Sequence, residues 1–594
     1  MRYHVLACDF DDTLATHGTV ADETVKALER VSRSGRRLLL VTGRELDDLL
    51  AVFPHADLFD LVVAENGALL YDPGERTRDA LAEPPPRDFV ERLRGQGVTP
   101  LGVGAVIVAT REPYDEQVND AIRDLGLELQ VIRNKGAVMV LPPGVNKASG
   151  LATGLQRLNL SQHNVVAVGD AENDHAFLTA AECGAAVANA VPALRSQCDL
   201  PLDGEAGAGV VELAELLLSG ELDERRVPRH DVLLGRSDGS GDGDSYGDGD
   251  GDGGTGEDGR EVRLPPYGTG LVVAGPSGGG KSTATTALLE RLIEGGHQCV
   301  VIDPEGDYAE FPEAAVLGDP DRPPGIEEVL RLLESPEQSA VVNMIGMPLR
   351  DRPAFFTELL PRLTALRARL GHPHWVVVDE AHHLMPAELQ EVPIKDVRDL
   401  GSILMITVHP EALSPAALRL VGHVLAVGDR PGRTLAAFAD ALGEPGPAGD
   451  GLPEHGVVLW RCGSGRAQPV EVEPARTERT RHRRKYAAGT MSKDKSFYFT
   501  GPQDRLRLRA RNLHTFIELG EGVDEETWTY HLGRGDYSTW IRESLGDDEL
   551  ADQVAAVERD EGDAGESRRR VTSLIEERYT LPSEPTRYDP DHDD

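Results

Sequence analysis

Short apolar runs alternate with amphipathic stretches along the first 225 residues. The runs are Val5-Leu6-Ala7-Cys8, Leu38-Leu39-Leu40-Val41, Leu61-Val62-Val63-Ala64 and Val165-Val166-Ala167-Val168. Between them apolar residues recur at helical spacing, as at Val25, Leu28 and Val31. Buried strands alternating with one-faced helices predict a doubly wound parallel sheet, an α/β fold. The pattern breaks at Pro84-Pro85-Pro86 and resumes near Lys147. Residues from about 84 to 146 therefore read as an inserted α+β cap, with strands at Ala105-Val106-Ile107-Val108 and Ala137-Val138-Met139-Val140. A second doubly wound unit is expected over residues 228–474. A basic connector (475–494), a small, mainly helical C-terminal domain (495–582) and a disordered tail (583–594) complete the chain.

Residues 236–260 are almost wholly Gly, Asp and Ser, too polar to bury a core, and should be disordered. Asp248-Gly249-Asp250-Gly251-Asp252 resembles a calcium loop but lacks the closing Glu, so an acidic linker is the better reading. The flanks, Val232-Leu233-Leu234-Gly235 and Val262-Arg263-Leu264, read as two strands of one hairpin, which makes the run an expanded turn. Near the C-terminus, Trp528, Tyr530, Tyr537 and Trp540 could stack on bases, but their spacing suits a small helical core better.

Composition adds bounds. A chain of 594 residues calls for about three cores. No apolar run is long enough to cross a bilayer, and the first strand leaves no room for a signal peptide. Five scattered cysteines form no paired or metal-spaced set, which fits a reducing cytoplasm. A net charge of -40 disfavours nucleic acid and anionic membranes as partners.

Candidate chemistry begins at Asp9-Phe10-Asp11-Asp12-Thr13-Leu14, directly after the first strand. Ligands bind beyond the carboxyl ends of parallel strands. One carboxylate there can attack phosphorus, and a second can protonate the leaving oxygen and later deprotonate water. Thr42-Gly43-Arg44 ends the second strand with a hydroxyl for a phosphoryl oxygen. Lys147 opens a helix after the cap and brings a fixed positive charge. Gly169-Asp170-Ala171-Glu172-Asn173-Asp174 supplies oxygens suited to Mg²⁺.

These four segments resemble the motifs of the haloacid dehalogenase superfamily, and Ala64-Glu65-Asn66-Gly67-Ala68 is similar to the signature of its Cof-like branch. The resemblance implies an aspartyl-phosphate intermediate on Asp9. Asp9, the main-chain carbonyl of Asp11 and Asp170 would hold the metal, with Asn173 and Asp174 in support. The compact cap looks like that of phosphoglycolate and sugar-phosphate phosphatases, so a small phosphorylated substrate is expected.

In the second unit, Gly275-Pro276-Ser277-Gly278-Gly279-Gly280-Lys281-Ser282, followed by Thr283, fits the G-x-x-x-x-G-K-[ST] loop between a strand and a helix. Backbone N–H groups can wrap phosphates, Lys281 can reach the β and γ groups, and Ser282 can hold Mg²⁺. Trp375-Val376-Val377-Val378-Asp379-Glu380 ends a strand with one carboxylate for the metal shell and one to position water, which argues for ATP hydrolysis. His382 and His383 lack partner ligands at metal spacing and read as helix-start residues. This region resembles the HerA/FtsK-like ATPases through Ile302-Asp303-Pro304-Glu305-Gly306-Asp307-Tyr308 and Asp379-Glu380-Ala381-His382. His409 stands where that family carries Gln, a departure in the sensor. The resemblance implies ATP as a cofactor and a ring-forming homo-oligomer. Arg430 and Arg433 read as solvated arginines or as an arginine finger. The favoured expectation is a small-ester phosphatase fused to an ATPase. An ATP-driven nucleic-acid motor with an end-processing phosphatase, or a nucleotide-gated scaffold, stands as the alternative.

Overall fold

The computed structural model describes residues 1–237, 260–276, 279–387, 389, 394, 396–408, 412–447, 452–464, 466–476, 496–545, 547–560 and 563–578. Two compact units result, Met1–Pro474 and Ala475–Asp594. Most of the acidic Gly/Asp run, residues 481–485, His409 and the C-terminal tail lie outside the described residues.

An eight-stranded sheet organises the first part of the larger unit. Val5–Cys8 lies at its centre, parallel to Val165–Gly169 on one side and Arg37–Val41 on the other. Leu61–Ala64 extends the parallel set, and Leu69–Asp72 and Thr77–Ala80 close one edge antiparallel. The central strand is fully buried, because helices cover both faces and leave no position for a polar side chain. Chain connections leave it in opposite directions, so a crevice opens at the strand ends.

The inserted cap is a four-stranded antiparallel sheet with Arg87–Gly95 and Asp115–Leu125 packed on it. Its strand over this region is Val108–Arg111, three residues later than the apolar run suggested. Residues 105–107 are held differently. The buried Glu65 carboxylate accepts the N–H groups of Ala105, Val106 and Ile107 at 2.8, 2.7 and 2.9 Å. A single core carboxylate thus replaces a strand ladder and fixes the cap to the core. Glu65 and Asn66 take left-handed backbone to do so, at φ +53° and +54°.

Gly67 sets the next contact. A Cβ there would lie 1.9 Å from the Asn146 carbonyl oxygen, so only glycine lets this turn touch the start of the Lys147–Arg157 helix. Asn146 caps that helix, accepting from Ala148 and Ser149 N–H at 2.9 and 3.0 Å.

A nine-stranded sheet organises the remainder, running Ala315–Leu317, Ala340–Asn343, Cys299–Asp303, Trp375–Val378, Ser402–Thr407, Gly270–Ala274, His423–Asp429, His455–Arg461 and Ala467–Pro469. The last two strands are antiparallel and the others parallel. Val232–Ser237 and Arg260–Leu264 pair antiparallel beside it, with Glu471–Val472 as a third strand. The two halves meet through polar contacts. Asn164 donates to the Gly371 carbonyl at 3.1 Å, His372 Nε2 meets the Asn159 carbonyl at 3.1 Å, and Glu224 pairs with Arg398.

The second unit is mainly helical, with one short hairpin of Phe497–Phe499 and Leu508–Ala510. Trp528, Tyr537 and Trp540 are buried in its core, and Tyr537 donates to the Trp528 carbonyl at 3.1 Å. The aromatics therefore serve packing, while Tyr530, half-buried, lies against Arg534. No helix among the described residues is long and apolar enough to cross a membrane.

Replacing Glu65 with Ala orphans three N–H groups, two of them in a buried setting. The expected loss is ~2–4 kcal/mol of cap stability, read as earlier thermal unfolding and faster proteolysis between residues 84 and 146. Unchanged cleavage would contradict the anchoring role.

Candidate active sites

Asp9 and Asp170 follow neighbouring parallel strands whose ends are in register, Cys8 opposite Val168. This brings carboxylates from distant sequence to one crevice. Ligand oxygens of Asp9, Asp170 and Asp174 lie within 4.8 Å of one another, all three residues buried. Lys147 enters from the capped helix and sets its ammonium 2.5 Å from both Asp9 and Asp174. Asp174 also accepts the N–H groups of Asp170 and Ala171 at 3.0 and 2.9 Å, which locks its orientation.

Burial and the neighbouring Asp174 push the Asp9 carboxyl well above the ordinary carboxylate range, against the pull of Lys147. Burial likewise raises Asp170. Burial opposes the charge of Lys147, but Asp174 and Asp9 overcome it and raise the ammonium above its usual value. The donors of the cluster are all carboxylate oxygens. Such a set fits a small, hard divalent cation.

The Asp11 side chain is not in this cluster. Arg44 holds it through Nε at 2.8 Å and Nη2 at 2.7 Å, beside the crevice and about half exposed. Thr42 is fully buried at its strand end. Asn173 donates to Asn66 at 3.1 Å, linking the cation side to the Glu65-Asn66-Gly67 turn. Lys135 was not singled out in the sequence. It sits at the tip of the cap hairpin Gln130–Asn134/Ala137–Leu141 and reaches Asp170 at 2.6 Å and Asp12 at 2.8 Å. Asn134-Lys135-Gly136 forms the turn, and only the docked cap shows where it points.

A second strand-end site forms on the nine-stranded sheet. Gly275 lies against the Val427 carbonyl, 2.0 Å from where a Cβ would be, and Gly280 takes φ +94° before the helix Lys281–Glu294. Lys281 Nζ donates to the Gly275 and Pro276 carbonyls at 2.9 and 3.0 Å. Gly279, Ser282 and Thr283 continue the turn into the helix, whereas Ser277 and Gly278 lie outside the described residues. Asp379 is fully buried beside the strand end of Asp303. Burial, then repulsion from Asp379, pushes Asp303 up to about 7. Asp303 accepts the N–H groups of Gly306, Asp307 and Tyr308 at 2.8, 3.0 and 2.7 Å. Glu380 adopts left-handed backbone, φ +43°, a strained geometry of the kind found where a side chain must be aimed. His382 and His383 pack together on the short helix Ala381–Leu384, and Arg430 and Arg433 are exposed.

Comparison with known proteins agrees with this geometry. Residues 6–92 and 101–213 match the haloacid dehalogenase-like hydrolase family, and residues 271–351 match the central domain of helicase HerA. A phosphoglycolate phosphatase of Methanothermobacter thermautotrophicus is 31% identical over 214 residues, 35% of this chain and 95% of that protein. One from Pyrobaculum aerophilum is 31% identical over 237 residues, 37% of this chain and 98% of that protein. One from Halorubrum lacusprofundi is 31% identical over 217 residues, 34% and 94% respectively. The chain belongs to the haloacid dehalogenase-like hydrolase family. It is a phosphoric monoester hydrolase by that kinship, with a HerA-like domain joined to it.

A cation drawn into the carboxylate cluster favours the ionised form of Asp9, which burial and Asp174 disfavour. Titration of Mg²⁺ into the full chain is therefore expected to release protons, seen as heats that change with buffer ionisation enthalpy. Asp9→Asn should lose most of that release. Equal release from both proteins would contradict the assignment of the proton to Asp9.

Proposed function

We propose that the N-terminal domain is a Mg²⁺-dependent phosphatase of small phosphate esters, working through an aspartyl-phosphate on Asp9. The observation that carries this reading is the convergence of Asp9, Asp170 and Asp174 around Lys147 at one strand-end crevice. Lys147 holds the Asp9 carboxylate in a fixed orientation, so an oxygen of Asp9 attacks phosphorus while the ester oxygen departs on the opposite side. Asp11 gives its proton to that leaving oxygen, then takes one from the water that splits the acyl phosphate and returns Asp9 to a carboxylate. Arg44 positions Asp11 for both transfers, and the Thr42 hydroxyl binds a phosphoryl oxygen. Mg²⁺, held by Asp9, Asp170 and the Asp11 carbonyl with Asn173 and Asp174 in support, supplies positive charge to the phosphoryl group when bound.

Lys135 brings a cation from the cap to the mouth of the crevice, where a substrate carboxylate would meet it. This favours a phosphoglycolate-type ester, the substrate in the names of the relatives. The HerA-like domain binds and hydrolyses ATP. Gly275 to Gly280, Lys281, Ser282 and Thr283 cradle the phosphates, Asp379 serves the metal, and Glu380 positions water. It acts as a regulator of the phosphatase, within a homo-oligomer. The HerA match keeps an ATP-driven nucleic-acid motor as a second reading, opposed by the net charge of -40. ATP hydrolysis stimulated by DNA and suppressed by salt would favour the motor.

A panel of phosphate esters with Mg²⁺ should show preference for phosphoglycolate over uncharged esters, with Asp9→Asn at background. Lys135→Ala should raise KM for the carboxylate-bearing ester about three- to tenfold and leave uncharged esters nearly unchanged. An equal loss on both would contradict carboxylate recognition. ATP should alter ester turnover in the wild-type chain and not in Lys281→Ala; identical responses would remove the regulatory role.

A further inference from the structure

The contact between the two halves of the larger unit buries an unusual set of imidazoles. His163, His230, His297 and His374 pack with ring centroids 3.8 to 5.5 Å apart, His163 and His297 stacked. Two of them, His163 and His230, face the buried carboxylate of Glu182. None of these residues takes part in either strand-end site.

We propose that His163, Glu182 and His230 form a second metal site, for a borderline transition-metal ion of the Zn²⁺ type. Ligand atoms of the three lie within 4.8 Å of one another. His163 Nδ1 is 2.8 Å and His230 Nε2 3.7 Å from the same Glu182 oxygen. Ligands of a four-coordinate Zn²⁺ stand ~3.3 Å apart, midway between these values, so small side-chain shifts admit the ion.

The surroundings also match what such a site requires. A ligating imidazole normally gives its other N–H to a carbonyl or carboxylate, which fixes the tautomer. His163 Nε2 does so with the Gly295 carbonyl at 2.7 Å, which leaves Nδ1 facing Glu182. The other oxygen of Glu182 is held by Arg2, as a ligating carboxylate is held in turn. His230 Nε2 is buried with no hydrogen-bond partner among the described residues, and so are His297 Nδ1 and His374 Nε2 beside it. A cavity of about 10 Å³ lies beside the cluster, lined by His163, Glu182, His297 and His374 together with Arg2 and Arg367. The nitrogen donors select a borderline metal over Mg²⁺.

The position gives the site a consequence. Gly295 caps the helix Lys281–Glu294, whose first turn carries Lys281 and Ser282. An ion on His163 would tighten the bond between this helix and the phosphatase core.

Co²⁺ is the probe, added to the chelator-stripped full chain in excess Mg²⁺. The expected result is a visible absorption band of imidazole-ligated, four-coordinate Co²⁺ that saturates at a single ion per chain and is displaced by Zn²⁺. The band should be lost in His230→Ala, and in His230→Gln should the alanine variant not fold. It should persist in Asp170→Asn, which alters only the carboxylate cluster. No band in the wild-type chain, a band surviving both His230 variants, or one lost in Asp170→Asn would overturn the proposal.

Discussion

The Lys147 ammonium, shared between Asp9 and Asp174, is the contact on which the phosphatase half depends. Burying any one of these charges alone costs several kcal/mol, and Asp9 and Asp174 repel each other. The lysine makes their proximity tolerable, and Asp170 joins them as a third carboxylate. Its position is tightly constrained. The cap must return the chain at Asn146, the helix must be capped there, and Gly67 must let the neighbouring turn touch that cap. Glu65, two residues earlier in the same turn, ties the cap to the same place. One short segment, residues 65–67, therefore coordinates the cap, the lysine and, through Asn66 and Asn173, the cation side of the crevice.

The second sheet follows the same logic with different partners. Asp303 and Asp379 stand at adjacent strand ends, and burial with mutual repulsion raises Asp303 as it raises Asp9. In each half the fold gathers carboxylates beyond the strand ends. The contact between the halves is of another kind, with imidazoles, amides and carbonyls in place of an apolar seam. Polar interfaces of this sort suit halves whose relation responds to what they bind.

The strand-end motifs were legible because an apolar run followed by acidic residues leaves few other structures available, and periodicity placed Asp9, Asp170 and Asp379 without tertiary knowledge. The hairpin flanking the acidic run was legible for a similar reason, since Val232 and Leu264 alternate as facing strands do. The cap was harder. Residues 105–107 are apolar and buried, yet they hang on Glu65 instead of joining a ladder, so burial alone misplaced the strand by three residues. Lys135 was invisible because a hairpin tip has no local signal of direction. The interface histidines were missed because their spacing carries no pattern. His382 and His383, read as helix-start residues, stand on the helix Ala381–Leu384, while among the described residues the metal-competent groups lie elsewhere.

The central claim is that Asp9 takes the phosphoryl group. The direct measurement is mass spectrometry of the peptide containing Asp9 after rapid acid quench of the enzyme turning over phosphoglycolate with Mg²⁺, followed by borohydride reduction. The account predicts that Asp9 alone is reduced, marking an acyl phosphate at that carboxylate. Steady release of phosphate with Asp9 unmodified, or with the label on another residue, would contradict it.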